Sequence, residues 1–151
     1  MAQKTRLLRF AVVAVIGFGA LQLLPLGRPS DNPPVRKEPV WPSAEARALA
    51  VRACFDCHSN ETKWPWYAHI APISWLAVHD VDEGREHLNF SEWDRPQKEA
   101  HEASEELLEG EMPLSIYLPL HPEARLTDTE KKVLADALQI VGATATRSSS
   151  H

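Results

Sequence analysis

The chain of 151 residues has few cysteines, few glycines and no excess of positive charge, and each shortage excludes something. Lys and Arg number 16 against 21 Asp and Glu, a formal net charge of −5, so there is no basic stripe of the kind that grips a nucleic-acid backbone. No period-2 run of β-branched or aromatic residues is long enough to propose a strand, and no segment repeats another. A catalytic triad, a phosphate loop and a carboxylate pair are all missing, which leaves no motif for chemistry carried by protein groups alone. What the chain does have is 12 prolines, five tryptophans and only six glycines, a balance that predicts short helices joined by stiff loops. The expected fold class is a small all-α domain with long ordered loops.

The scarce cysteines carry the most information. Cys54 and Cys57 are the only two, and they stand in Arg52-Ala53-Cys54-Phe55-Asp56-Cys57-His58. A disulfide between residues so close closes a tiny loop and gains little from loop entropy. A structural zinc site needs four ligands. There is no second cysteine pair, and His69, His79, His87, His101 and His121 lack the paired spacing. A thioredoxin-like dithiol expects a βαβ setting, which a chain without strands cannot supply. The pattern C-x-x-C-H also matches a covalent c-type haem site, and this option accounts for the histidine as well. In such a site the two thiols add across the haem vinyl groups and the imidazole turns onto the iron. One helical turn brings Cys54, Cys57 and His58 together, so the expected cofactor is one covalent haem c.

The second axial position has one leading candidate. Apart from the initiator, Met112 is the only methionine, and it lies in Gly110-Glu111-Met112-Pro113. A proline directly after it pushes Met112 out of the α region into an extended loop, which can drape across a haem face. The expected metal ligands are therefore His58 and Met112. His79 and His69 stay open as alternatives, as does an iron with no sixth ligand. His87 and His101 stand among Glu and Arg and read as solvated, and His121 reads as a turn residue. Trp64, Trp66 and Tyr67 follow the motif closely enough to lie against a porphyrin, with a ring N–H or O–H on a propionate. Arg85, always charged and forked, is the expected propionate counter-ion; a surface pair with Asp82 or Glu86 is its equal alternative. Asn60, Asn89 and Ser91 read as turn and cap residues.

The N-terminus reads as a targeting element. Lys4, Arg6 and Arg9 mark a basic segment, residues 1–9, ahead of an uncharged run over residues 10–26. At ~1.5 Å per residue that run covers about 25 Å, the low end for a bilayer span. It ends without a small-x-small cleavage site, which favours a single transmembrane anchor over a cleaved signal. The positive residues would keep residues 1–9 in the cytoplasm and deliver the rest across the membrane. Residues 27–42 hold five prolines and read as an extended tether, 43–141 as the haem-binding domain, and 142–151 as a disordered tail. Within the domain, Ser43 is an N-cap candidate and SWLAVHDVDEGREHL a helix. PQKEAHEASEELLEG is a helix closed by Gly110, and Thr127 to Glu130 is a capping box before KKVLADALQIV.

The stretches CFDCHSNETKWPWYAHIAPISW, EGREHLNFSEW and GEMPLSIYLPLHPEARL together resemble the small haem-binding domain family of bacterial c-type cytochromes. The resemblance covers residues 54–130, most of the expected folded part. It departs at the last helix, where a tryptophan is expected and Ala137-Leu138-Gln139 stands. It implies a cytochrome-like helical domain that binds haem, with Met112 in the family's G-x-M-P pattern. The expected function is electron transfer by a membrane-tethered monohaem cytochrome on the periplasmic side of a bacterial inner membrane. Its partners would be redox proteins, or a larger respiratory membrane complex. A haem-based sensor or small-gas binder, or a peroxidase-like enzyme using His79 beside an open iron, are the alternatives.

Overall fold

The structure, a computed structural model, describes residues 2–24 and 26–148. Among the described residues six helices follow in order: α1 (Ala2–Leu21), α2 (Ala44–Ala53), α3 (Phe55–His58), α4 (Ile73–His87), α5 (Ala103–Glu109) and α6 (Asp128–Ser148). Short 3-10 turns stand at Trp66–His69 and Pro122–Ala124. Among the described residues there is no strand, only an isolated bridge between Lys37 and Glu92. The all-α expectation holds. The chain divides into two compact units, Met1–Ser30 with Trp64–His79 and Asp31–Lys63 with Asp80–His151.

In the first unit, α1 corrects the expected membrane span. The helix takes in Lys4, Arg6 and Arg9 and stops at Leu21, so its uncharged part is residues 10–21. That part rises only about 18 Å, short of a hydrocarbon core of ~30 Å. No helix among the described residues is long and apolar enough to cross a membrane. A contact 49 residues away in sequence stands at the stop. The Gln22 side chain brackets the backbone of Ala71, donating from Nε2 to its carbonyl at 3.0 Å and accepting from its N–H at 2.9 Å. Pro25, within the expected span, lies outside the described residues.

In the second unit local signals start and end the helices. Ser43 caps α2, its Oγ accepting from Ala46 N–H at 3.0 Å. Thr127 and Glu130 form the reciprocal capping box of α6: Glu130 Oε2 accepts from Thr127 N–H at 2.8 Å, and Thr127 Oγ1 accepts from Glu130 N–H at 3.3 Å. Gly110 closes α5 at φ 85°, a left-handed value that glycine adopts without strain. The core gathers Leu49, Phe55, Phe90, Leu107, Leu134 and Leu138. Phe90 stacks on Phe55 at 5.6 Å and on Trp93 at 5.9 Å between ring centres, joining the loop after α4 to α3.

Three boundaries differ from expectation, each for a tertiary reason. Residues 31–42 are not a free tether. Arg36 and Lys37 donate their N–H groups to Ser91 O at 2.9 and 3.0 Å, and Trp41 packs on Phe90 at 5.2 Å. The helix expected from Pro96 begins only at Ala103, because the buried Gln97 brackets the preceding loop. It accepts from Asn89 N–H at 2.8 Å and donates to the carbonyls of Glu92 and Arg95. Finally, α6 runs on to Ser148, its Val141 and Ala145 buried in the core, so residues 142–148 are helical; residues 149–151 lie outside the described residues. Where a tryptophan was expected, Ala137 and Leu138 are buried at 3% and 4% exposure.

Candidate functional site

Cys54, the residue between α2 and α3, and the single turn of α3 set Cys54, Cys57 and His58 on the wall of one cavity. The turn closes through His58 N–H to Cys54 O at 2.9 Å, and the chain beyond it is pinned by Phe90 N–H to His58 O at 2.8 Å. No disulfide joins Cys54 to Cys57. Burial pushes each thiol up to about 12, with the charge of Asp56 adding to the effect at Cys57, so both stay protonated at neutral pH.

The His58 ring is held from behind. Its Nδ1 lies 3.0 Å from Gly84 O and 3.1 Å from Leu88 O, so Nδ1 carries the hydrogen and donates to both carbonyls. The tautomer this selects leaves the Nε2 lone pair toward the cavity, the arrangement of a metal-ligating histidine with its outer nitrogen anchored. Burial holds the ring's pKa below its ordinary value, which keeps it neutral. The contact requires α4 to touch the C-x-x-C-H turn, and Gly84 permits it: a Cβ there would stand 2.8 Å from Cys57 O.

The cavity has two lobes, of about 300 Å³ and 190 Å³, that share Cys54, His58, His87, Glu99, Met112 and Pro113. Their sum lies in the ~300–1,000 Å³ range of small-molecule sites. The smaller lobe is apolar at depth, floored by Leu88, Phe90, Leu107 and Leu138. Met112 sits in the loop after α5, as expected from its proline, and faces both lobes. The residues present thus fit a flat apolar cofactor with a metal at its centre. They supply two thiols, an imidazole with a free Nε2, a thioether and a greasy floor.

The other expected site residues are placed differently. Trp64, Trp66 and Tyr67 belong to the first unit. Trp64 donates from Nε1 to Ser30 O at 3.2 Å, and Trp66 is 76% exposed, with Tyr67 edge-on to it at 5.9 Å. The chain leaves α3 extended at Ser59, and Asn60 is drawn into bonds with Ser91, Asn89 and Pro34 O. Arg85 does not line the cavity. It donates to Ser59 O at 2.8 Å, Thr62 Oγ1 at 2.9 Å and Asn32 Oδ1 at 2.8 Å. Its position on α4 explains this, because residues 84, 87 and 88 share the cavity face and 85 is turned away from it. His69 and His79 also belong to the first unit.

Two groups were not legible as site residues. His87, read from its neighbours as solvated, lines both lobes with its Nδ1 2.5 Å from Glu99 Oε1. Tyr117 lines the larger lobe, donates to Asp56 Oδ2 at 2.7 Å and stacks on the buried His121 ring at 3.8 Å. Burial, then the Asp56 bond, raise its pKa far above the ordinary value. The one sequence signal for His87 was its i+3 relation to a mid-helix glycine; Tyr117 had none.

In comparisons with known proteins, a family model described as a haem-binding domain matches residues 16–139. No curated protein and no solved structure matches the chain.

Proposed function

The chain belongs to the haem-binding domain family, and from that premise we propose that it is a monohaem c-type cytochrome working in electron transfer. The observation that carries the proposal is the meeting of Cys54, Cys57, His58 and Met112 on one cavity, with the His58 ring anchored through Nδ1. Cys54 and Cys57 would hold haem as thioethers, each S–H adding across a vinyl group with the sulfur on the inner carbon and the hydrogen on the outer one, with no oxidant needed. His58 would bind iron through Nε2, with the Gly84 and Leu88 carbonyls keeping it oriented and raising its basicity. Met112, in the loop after α5, would supply a thioether as the second protein ligand. When bound, haem supplies a one-electron ferric–ferrous couple whose potential a thioether ligand raises. Leu88, Phe90, Leu107 and Leu138 exclude water from the buried side. The basic start of α1 and its exposed apolar surface serve as the export element that places the domain on the periplasmic side of a bacterial inner membrane. There it meets a redox protein or a larger respiratory complex.

The test has two parts. After denaturation and acid–acetone extraction, haem should stay with the polypeptide, and replacing Cys54 and Cys57 by alanine should release it; free extraction from the wild type overturns covalent attachment. The oxidised wild type should show a weak sulfur-to-iron charge-transfer band that Met112→Ala erases while opening the iron to carbon monoxide. A wild type that binds carbon monoxide readily, unchanged by Met112→Ala, would instead support a sensor or gas binder.

A further inference from the structure

A haem carries two propionates, and the cavity offers them almost no positive charge. Among the described residues its two lobes are lined by the carboxylates Asp56, Asp80, Glu83, Glu99, Glu102 and Glu106, and by no lysine or arginine. Arg85, the one cation expected there, is occupied by Ser59 O, Thr62 Oγ1 and Asn32 Oδ1. Besides His58, the only group on both lobes able to carry positive charge is His87.

His87 leaves α4 beside the carbonyls that hold the back of the His58 ring, those of Gly84 on the same turn and of Leu88 just past the helix end, so it stands with His58 and not opposite it. The His87 side chain is 36% exposed and that of Glu99 46%, so the pair stands at the rim, not at the buried centre. The Nδ1 contact with Glu99 leaves Nε2 as the ring nitrogen available to a ligand.

We propose that His87, oriented by Glu99, is the residue that binds a haem propionate. This rests on the haem reading above. An imidazolium donates from both nitrogens, so a ring between Glu99 and a propionate satisfies both carboxylates with charge-assisted bonds. Glu99 acts through His87 as a positioning residue. When protonated, His87 offsets part of the surrounding negative field. Removing it should therefore favour the ferric state.

The experiment uses the full chain with haem attached. Resonance Raman spectra and reduction potentials are recorded at one pH for the wild type, His87→Phe, Glu99→Gln and Arg85→Lys. His87→Phe should shift the propionate bending modes and lower the potential, leaving the Met112 charge-transfer band in place. Glu99→Gln should give a smaller change in the same direction, and Arg85→Lys none in the propionate modes. If His87→Phe fails to hold haem, Glu99→Gln decides alone. Unmoved propionate modes in a protein with covalent haem overturn this inference and leave the cytochrome reading intact. A wild-type bis-histidine spectrum that His87→Phe abolishes also overturns it, because His87 would then be an iron ligand. A wild type without covalent haem overturns both.

Discussion

Replacing Gly84 by alanine tests the contact on which His58 depends. In an ordinary helix interior this change stabilises by about 1 kcal/mol, since alanine is the better helix former. Here the added Cβ would stand 2.8 Å from Cys57 O, 3.2 Å from Cys57 C and 3.3 Å from Cys57 Cβ. Two of these are backbone atoms of the C-x-x-C-H turn, which cannot swing aside as a long side chain does. Overpacking of this kind costs roughly 1–3 kcal/mol. If α4 retreats instead, the His58 Nδ1 bond to Gly84 O at 3.0 Å lengthens, a loss of about 1 kcal/mol. Set against the propensity gain of about 1 kcal/mol, overpacking leaves a net loss of up to about 2 kcal/mol. In a chain of about this size each kcal/mol moves Tm by roughly 2–4 °C. Urea unfolding followed by tryptophan fluorescence should show the midpoint fall, with the iron–histidine stretch, read in a five-coordinate ferrous Met112→Ala background, broadened or shifted. Gly17→Ala in α1, where nothing lies within 4 Å of the added Cβ, is the control and should be neutral or slightly stabilising. A Gly84→Ala protein as stable as the wild type, with an unchanged iron–histidine stretch, would refute the close approach of α4 to the C-x-x-C-H turn.

Tyr117→Phe removes a hydroxyl that donates to the Asp56 carboxylate at 2.7 Å and should cost about 1.5–3 kcal/mol in urea unfolding. In the wild type the Tyr117 phenol should resist ionisation in an alkaline absorbance titration well past the ordinary tyrosine range, because burial raises its pKa. Gln97→Leu leaves the N–H of Asn89 and two loop carbonyls without their partner and should lose about 1–3 kcal/mol, with faster hydrogen exchange across residues 89–97. Glu130 accepts from Thr127 N–H and from Arg52, and its pKa is lowered from 4.5 to about 2. A depressed carboxylate contributes stability above its unfolded value that disappears as pH falls through its folded one. The wild type should therefore lose stability relative to Glu130→Gln between pH 4.5 and about 2, and parallel curves across that window would contradict the capping role.

Much of this protein was legible in the order of its residues. Ser43, Gly110 and the Thr127–Glu130 box act on backbone groups within four positions, so their effect needs no knowledge of the fold. The C-x-x-C-H spacing is equally local: one helical turn suffices to set Cys54, Cys57 and His58 side by side, and Pro113 holds Met112 in a loop from the adjacent position. What could not be read were pairings decided by which face of α4 packs inward. Gly84 permits contact with Cys57 O, and that contact carries residues 84, 87 and 88 to the cavity. It thereby turns His87 from an apparently solvated residue into a site residue and leaves Arg85 to the loop carbonyl of Ser59. The same holds for Gln97, whose partners at Asn89 and Glu92 displaced the start of α5, and for the stretch over 142–148, which the core contacts of Val141 and Ala145 keep helical. Local backbone preferences are set by neighbours in sequence and survive any fold. The partner of a long polar side chain is chosen by whatever desolvated group the packed chain brings within reach, and only the tertiary structure decides that.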